Sequence, residues 1–134
     1  MNDSFDDLQQ SYGRCLARRG FIERFYEIFM ARHPDIEAMF ARTDFQKQRL
    51  ALRRGISVAI LHAGGSAMVE RTCAGMAGVH AREGRAPVPP ELYPHWIESL
   101  LQAVAEFDED ADTRLLARWR QAMSRMVDFF VQRY

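Results

Sequence analysis

Hydrophobic residues recur along this chain every three or four positions, the spacing that aligns side chains on one face of an α-helix. Phe5, Leu8, Tyr12 and Leu16 form the first stripe, with Asp3 or Ser4 placed to cap its start and Gly20 to end it. In "FIERFYEIFMARHPDIEAMF", Ile22, Phe25, Tyr26, Phe29 and Met30 mark a broad apolar face that Pro34 interrupts. A short helical turn is expected after it, ending near Phe40. Thr43 and Gln46 have capping-box spacing, and Phe45, Leu52, Ile56, Ala59 and Ile60 then share one side of a long helix up to Gly64 and Gly65. From Ser66, the residues Val69, Cys73, Met76 and His80 step along one face, and the Gly84 to Pro90 segment stops that helix. Two more stripes follow: Tyr93, Trp96, Ile97, Leu100, Leu101 and Val104, then Leu116, Trp119, Met123, Met126, Val127 and Phe130, the second capped by Asp110 or Asp112.

No segment shows the strict alternation and β-branched enrichment of a strand, so the pattern predicts an all-α protein. The chain has no internal repeat and no linker long enough to divide it; "GRAPVPP" is short and joins helices that need each other's apolar faces. One domain over residues 1–134 is expected, since 134 residues at 48% hydrophobic content build one core more readily than two.

Charge and cysteine content exclude several function classes. Eighteen basic and 18 acidic residues cancel, so nothing resembles the basic stripe that a phosphate backbone requires, and no nucleic-acid partner is expected. No apolar run approaches the roughly 20 residues that cross a bilayer, so no membrane partner is expected either. Cys15 and Cys73 lack metal-ligand spacing and no signal-peptide pattern opens the chain, which together lead to the expectation of a cytoplasmic protein.

The candidate chemistry centres on His80, the last member of an otherwise apolar stripe. A neutral imidazole there either hydrogen-bonds within the core or binds a metal. Tyr26 lies within the apolar face of its helix, and Gln48 lies one turn before Leu52 on the inward side of the next. Each polar side chain alone reads as ordinary core or surface. Together they read as the lining of a buried cofactor site. His33, His62 and His95 read as surface or capping residues, with His62 the one spare ligand candidate, and both cysteines read as inert.

These segments resemble a bacterial single-domain globin, similar to the globin module of flavohaemoglobins. "FYEIFMARHPDIEAMF" resembles the family's segment in which a helical tyrosine, here Tyr26, is followed by a haem-packing phenylalanine, here Phe40. "TDFQKQRLAL" resembles the start of the distal helix and "VHAREG…PELYP" the proximal histidine segment. The resemblance implies a three-over-three helical sandwich around haem b (iron protoporphyrin IX). His80 would be the iron ligand, with Phe40, Leu52, Val79 and Tyr93 against the cofactor and Tyr26, Gln48 and Leu52 facing the bound ligand. Arg82 and Arg85 stand where they could pair with the haem propionates. The twelve residues between His80 and Tyr93 exceed the family's loop, and the last helix ends before the family's late glutamate, with Asp128 falling too early.

The implied function is reversible binding of a diatomic gas (O2, NO or CO) at ferrous iron. Conversion of NO and O2 to nitrate would draw on an external electron donor or reductase, because no flavin or nicotinamide module follows Tyr134. Two other classes fit the same residues: a haem-based gas or redox sensor signalling through a partner, and a haem-free globin-like interaction module. An oligomer of this chain is compatible with each of these readings.

Overall fold

The computed structural model describes residues 3–134. Among them are seven α-helices: α1 (Asp6–Ala17), α2 (Phe21–Arg32), α3 (Pro34–Met39), α4 (Phe45–Ala63), α5 (Glu70–His80), α6 (Tyr93–Phe107) and α7 (Thr113–Gln132). Single 3-10 turns, Ala67–Val69 and Pro90–Leu92, lead into α5 and α6. No strand occurs among the described residues. The stripes read from the sequence are therefore the helices, in the expected order.

Three helix starts differ from expectation in detail. Asp3 does not cap α1 directly: its carboxylate accepts from the Phe5 amide at 2.9 Å, and Phe5 itself takes the left-handed conformation at the N-cap with φ 58°. Gly20, expected to terminate α1, instead opens α2 with φ 98°, a conformation glycine adopts without steric cost. Helix α4 starts on Asp44 rather than Thr43. The Asp44 carboxylate accepts from the amides of Gln46 and Lys47, and a charged acceptor holds two orphan amides better than a hydroxyl holds one. The other starts follow the sequence: Pro34 occupies the first turn of α3 behind a His33 cap, and Asp112 accepts from the Leu115 amide at 2.7 Å.

The apolar faces meet in one core. Helix α2 packs most extensively on α6 and α4 on α7, while α6 and α7 lie side by side and α5 rests on α7. Trp119, Phe5, Phe21, Phe25, Ile56, Ile60, Leu100 and Met123 are fully buried between these layers. One polar chain crosses the core: Trp119 Nε1 donates to Ser11 Oγ at 2.9 Å, and Ser11 donates to Asp108 Oδ2 at 2.6 Å. Arg14 donates from Nε to the other Asp108 oxygen at 2.7 Å, so the buried carboxylate has a charged partner and its lone pairs are filled. Burial pushes the Asp108 carboxyl up, but Arg14, Ser11 and the Asp110 amide outweigh it and hold the group below its ordinary value.

Candidate functional site

Helices α2, α4, α5, α6 and α7 leave a cavity of about 770 Å³ between them. Its lining brings together every site residue expected from the sequence: Tyr26, Phe40, Gln48, Leu52, Val79, His80 and Tyr93. Phe25, Phe29, Met76, Trp96, Met126 and Phe130 complete an apolar wall of the size and chemistry that ligand pockets favour.

On one side stand the two polar groups of α2 and α4. Gln48 donates from Nε2 to the Tyr26 hydroxyl at 3.1 Å, and the same hydroxyl faces the main-chain oxygen of Gln48 at 3.4 Å. Tyr26 is wedged edge-on between Phe40 and Phe45, with ring centroids 5.6 and 5.5 Å away. Burial pushes its phenol up to about 12, against the pull of the Gln48 contact, so it stays a hydrogen-bond donor at neutral pH. Among the described residues its only acceptor is the long contact to the Gln48 carbonyl, which leaves the proton available to a stronger acceptor in the cavity.

On the other side is His80, the last residue of α5. Its Nδ1 lies 3.0 Å from the carbonyl oxygen of Ala86. A carbonyl only accepts, so Nδ1 carries the proton and the lone pair sits on Nε2. An imidazole in that tautomer is ready to ligate a metal through Nε2. The partner is a main-chain atom in the segment after α5, a position with no side-chain signature in the sequence. Tyr93 begins α6 as expected but makes no hydrogen bond to His80 among the described residues. Both pack on Phe130, with centroid distances of 6.2 Å from Tyr93 and 5.7 Å from His80. Burial raises the Tyr93 phenol to about 12.

Three arginines stand at the margin of the cavity: Arg54 on α4, Arg71 on α5 and Arg85 after it. Arg85 was expected near the site; Arg82 turns away and lies over the Tyr134 ring at 4.9 Å. Arg54 and Arg71 were missed, because an arginine on the outer face of a helix looks like any solvated charge. No carboxylate lies within 4 Å of Arg54, Arg71 or Arg85 among the described residues, whereas Arg14, Arg24, Arg49, Arg118 and Arg120 all have acidic partners. An apolar slot with a free imidazole nitrogen on one wall, a hydroxyl and an amide on the other and unpaired cations at its edge suits a flat metal chelate with an anionic rim.

The remaining candidates lie elsewhere. His62 lines a separate cavity of about 420 Å³ with Ser66, Glu70, Phe129 and Arg133, and its Nδ1 is buried with no hydrogen-bond partner. It is not a second ligand in the main cavity. His33 caps α3, and His95 accepts from Arg32 at 3.2 Å. Cys15 and Cys73 are buried and unpaired, and burial raises both thiols, so neither has the electropositive, open setting of a reactive one. No group of three or more metal-binding side chains occurs among the described residues, and no helix is long and apolar enough to cross a membrane.

No family model and no curated protein matches the chain in sequence. A crystal structure matches along its length. It is of a protein from Pseudomonas aeruginosa PAO1 described as structurally highly homologous to a human haemoglobin, 38% identical, with a TM-score of 0.91 and 98% of each chain covered. At that identity over nearly the whole of both chains, the helical sandwich around this cavity is an all-α globin fold, and the chain belongs to the globin family.

Proposed function

We propose that this protein is a haem-binding globin, resident in the cytoplasm as one domain over residues 1–134, that reversibly binds O2 and NO. The observation that carries the reading is that His80 and the hydrogen-bonded Tyr26 and Gln48 pair line one apolar cavity. Iron protoporphyrin IX (haem b), when bound, supplies the metal centre that coordinates a diatomic gas.

The chain's own residues divide the remaining work. His80 would hold the iron through Nε2, while the Ala86 carbonyl occupies its other nitrogen. Phe40, Leu52, Val79 and Tyr93, which line the cavity, would supply the apolar contacts that hold the macrocycle. Arg54, Arg71 and Arg85 sit at the cavity margin, where propionate carboxylates would find cations otherwise without acidic partners. Tyr26 and Gln48 would donate hydrogen bonds to a gas ligand that carries partial negative charge, worth roughly 1 to 3 kcal/mol together. Leu52 and Phe40 restrict the space beside it and, with Phe29 and Trp96, keep water out.

The motifs around Tyr26, Gln48 and His80, read as resembling a flavohaemoglobin globin module, favour a finer proposal, oxidation of NO to nitrate (NO + O2 + e− → NO3−). The single electron then comes from a separate reductase, an external partner. The test is the absorption spectrum of the purified protein with one equivalent of haem in ferric, ferrous and O2-exposed forms. A Soret band that shifts reversibly with O2, and is lost in His80→Ala, is the expected result. Absence of a stable haem spectrum would overturn the reading and leave a haem-free interaction module. Nitrate formation with NO and a supplied reductase tests the finer step.

A further inference from the structure

A helix that ends at a metal ligand leaves that ligand on the part of the helix most prone to fray. In α5 the segment after His80 removes that freedom. Its chain doubles back over the end of the helix, and the amides of Ala86 and Val88 donate to the carbonyls of Val79 and His80 at 2.9 and 3.1 Å. The same reversal delivers the Ala86 carbonyl to His80 Nδ1.

Two contacts hold the strap in place. Gly84 lies so close to α5 that a Cβ there would stand 2.2 Å from the Gly78 oxygen and 2.4 Å from the Val79 oxygen, so only glycine allows the approach. At the other side the Arg82 amide donates to the Tyr134 carbonyl at 3.1 Å, and the Arg82 guanidinium covers the Tyr134 ring. Tyr134 lies one turn beyond Phe130, whose ring packs on the His80 imidazole. The end of α7 and the strap therefore fix the imidazole from two directions.

We propose that the segment from Ala81 to Val88 is a positioning strap, anchored by Gly84 and Tyr134, that sets the tautomer and orientation of His80 through the main-chain carbonyl of Ala86. It takes the place of an acidic side chain: among the described residues no carboxylate lies within 4 Å of His80. A neutral acceptor strengthens the imidazole as a donor without drawing its proton away, which keeps Nε2 a neutral ligand. Gly84 and Tyr134 touch neither the metal nor the gas; they act through His80. The inference rests on the reading that His80 holds the haem iron.

The test compares haem-loaded parent, Gly84→Ala and Gly78→Ala, the last because a Cβ at Gly78 meets open space on the same helix. In the diamagnetic ferrous CO form, the His80 Nδ1 proton is expected to exchange with solvent roughly tenfold faster in Gly84→Ala than in the parent. The iron–histidine stretching frequency of the ferrous protein should fall, and haem transfer to excess apomyoglobin should quicken about tenfold or more. Gly78→Ala should match the parent in all three. If Gly84→Ala fails to fold by circular dichroism, Tyr134→Ala loosens the other anchor and should move the same proton exchange and frequency in the same direction. Parent-like proton exchange and frequency in the folded variant would overturn the proposal. A parental haem spectrum in His80→Ala would overturn the iron-ligand reading instead, so the two failures are told apart.

Discussion

Gln48 donates its side-chain amide to the Tyr26 hydroxyl at 3.1 Å, joining α4 to α2 at the wall of the cavity that His80 also lines. The pair is 22 residues apart in sequence and acts as one donor unit: Gln48 fills a lone pair of the phenol oxygen, whose proton makes only a long contact to the Gln48 carbonyl and can turn to a stronger acceptor. Tyr26→Phe in the haem-loaded ferrous protein is expected to speed O2 dissociation by roughly 2- to 13-fold, the equivalent of about 0.5–1.5 kcal/mol. Gln48→Leu should have a smaller effect, and the double variant should fall short of the product because the two donors are coupled. Stopped-flow dissociation rates measure this, and a rate unchanged in Tyr26→Phe would remove the tyrosine from contact with the ligand.

The unpaired arginines at the cavity margin lead to a salt-dependent prediction. Replacing Arg54, Arg71 and Arg85 together with glutamine should raise the haem dissociation rate about tenfold, since exposed charge pairs contribute about 0.2–1 kcal/mol each. The dimethyl ester of haem, which carries no carboxylates, should bind parent and variant equally, and 1 M salt should narrow the difference for free haem. Equal loss for both macrocycles would show that the arginines only support the fold.

Asp108 is 2% exposed, and its loss should be felt far from the cavity. Asp108→Ala leaves the Ser11 hydroxyl without its acceptor and Arg14 without its partner, at a cost of about 2–3 kcal/mol in urea unfolding; Arg14 is 36% exposed and regains water. Because the folded carboxyl is held below its ordinary value of 3.8, this contribution is present above that pH and fades as pH falls through the folded value. A variant within about 0.5 kcal/mol of the parent at pH 7 would contradict the assignment.

His62 gives a second pH dependence, of independent origin. Burial, then the Arg125 and Arg133 charges, lower its value in the folded state from 6.5. Below pH 6.5 the unfolded chain therefore binds a proton that the folded chain resists, and stability falls as the pH drops. His62→Gln should lose less thermal stability than the parent between pH 7.5 and pH 5. Identical pH slopes in the two proteins would dismiss the buried imidazole as a source.

Much of the architecture was legible because helices declare themselves locally. The step from Val69 through Cys73 and Met76 to His80 is a property of neighbouring residues, and it gave both the helix and the direction of the imidazole. Tyr26 and Gln48 were legible for the same reason, each being a polar residue on an inward face. The start of α4 was less so. Thr43 and Asp44 are both capping residues, and only the turn before them, in which the Thr43 amide donates to the Phe40 carbonyl, leaves Asp44 at the end of the helix.

The sequence by itself determined the helices, their inward faces and the residues that meet at the cavity, because short-range periodicity and the punctuation of Gly, Pro and capping side chains control local structure. Only the tertiary structure decided what those residues face. Ser11 hydrogen-bonds to Asp108 across 97 positions and Arg14 forms an ion pair with it across 94, contacts that no local pattern encodes. Arg54 and Arg71 became edge residues when α4 and α5 packed side by side. The partner of His80 is a carbonyl oxygen, a group every residue carries; which one arrives depends on how the strap folds back over its helix.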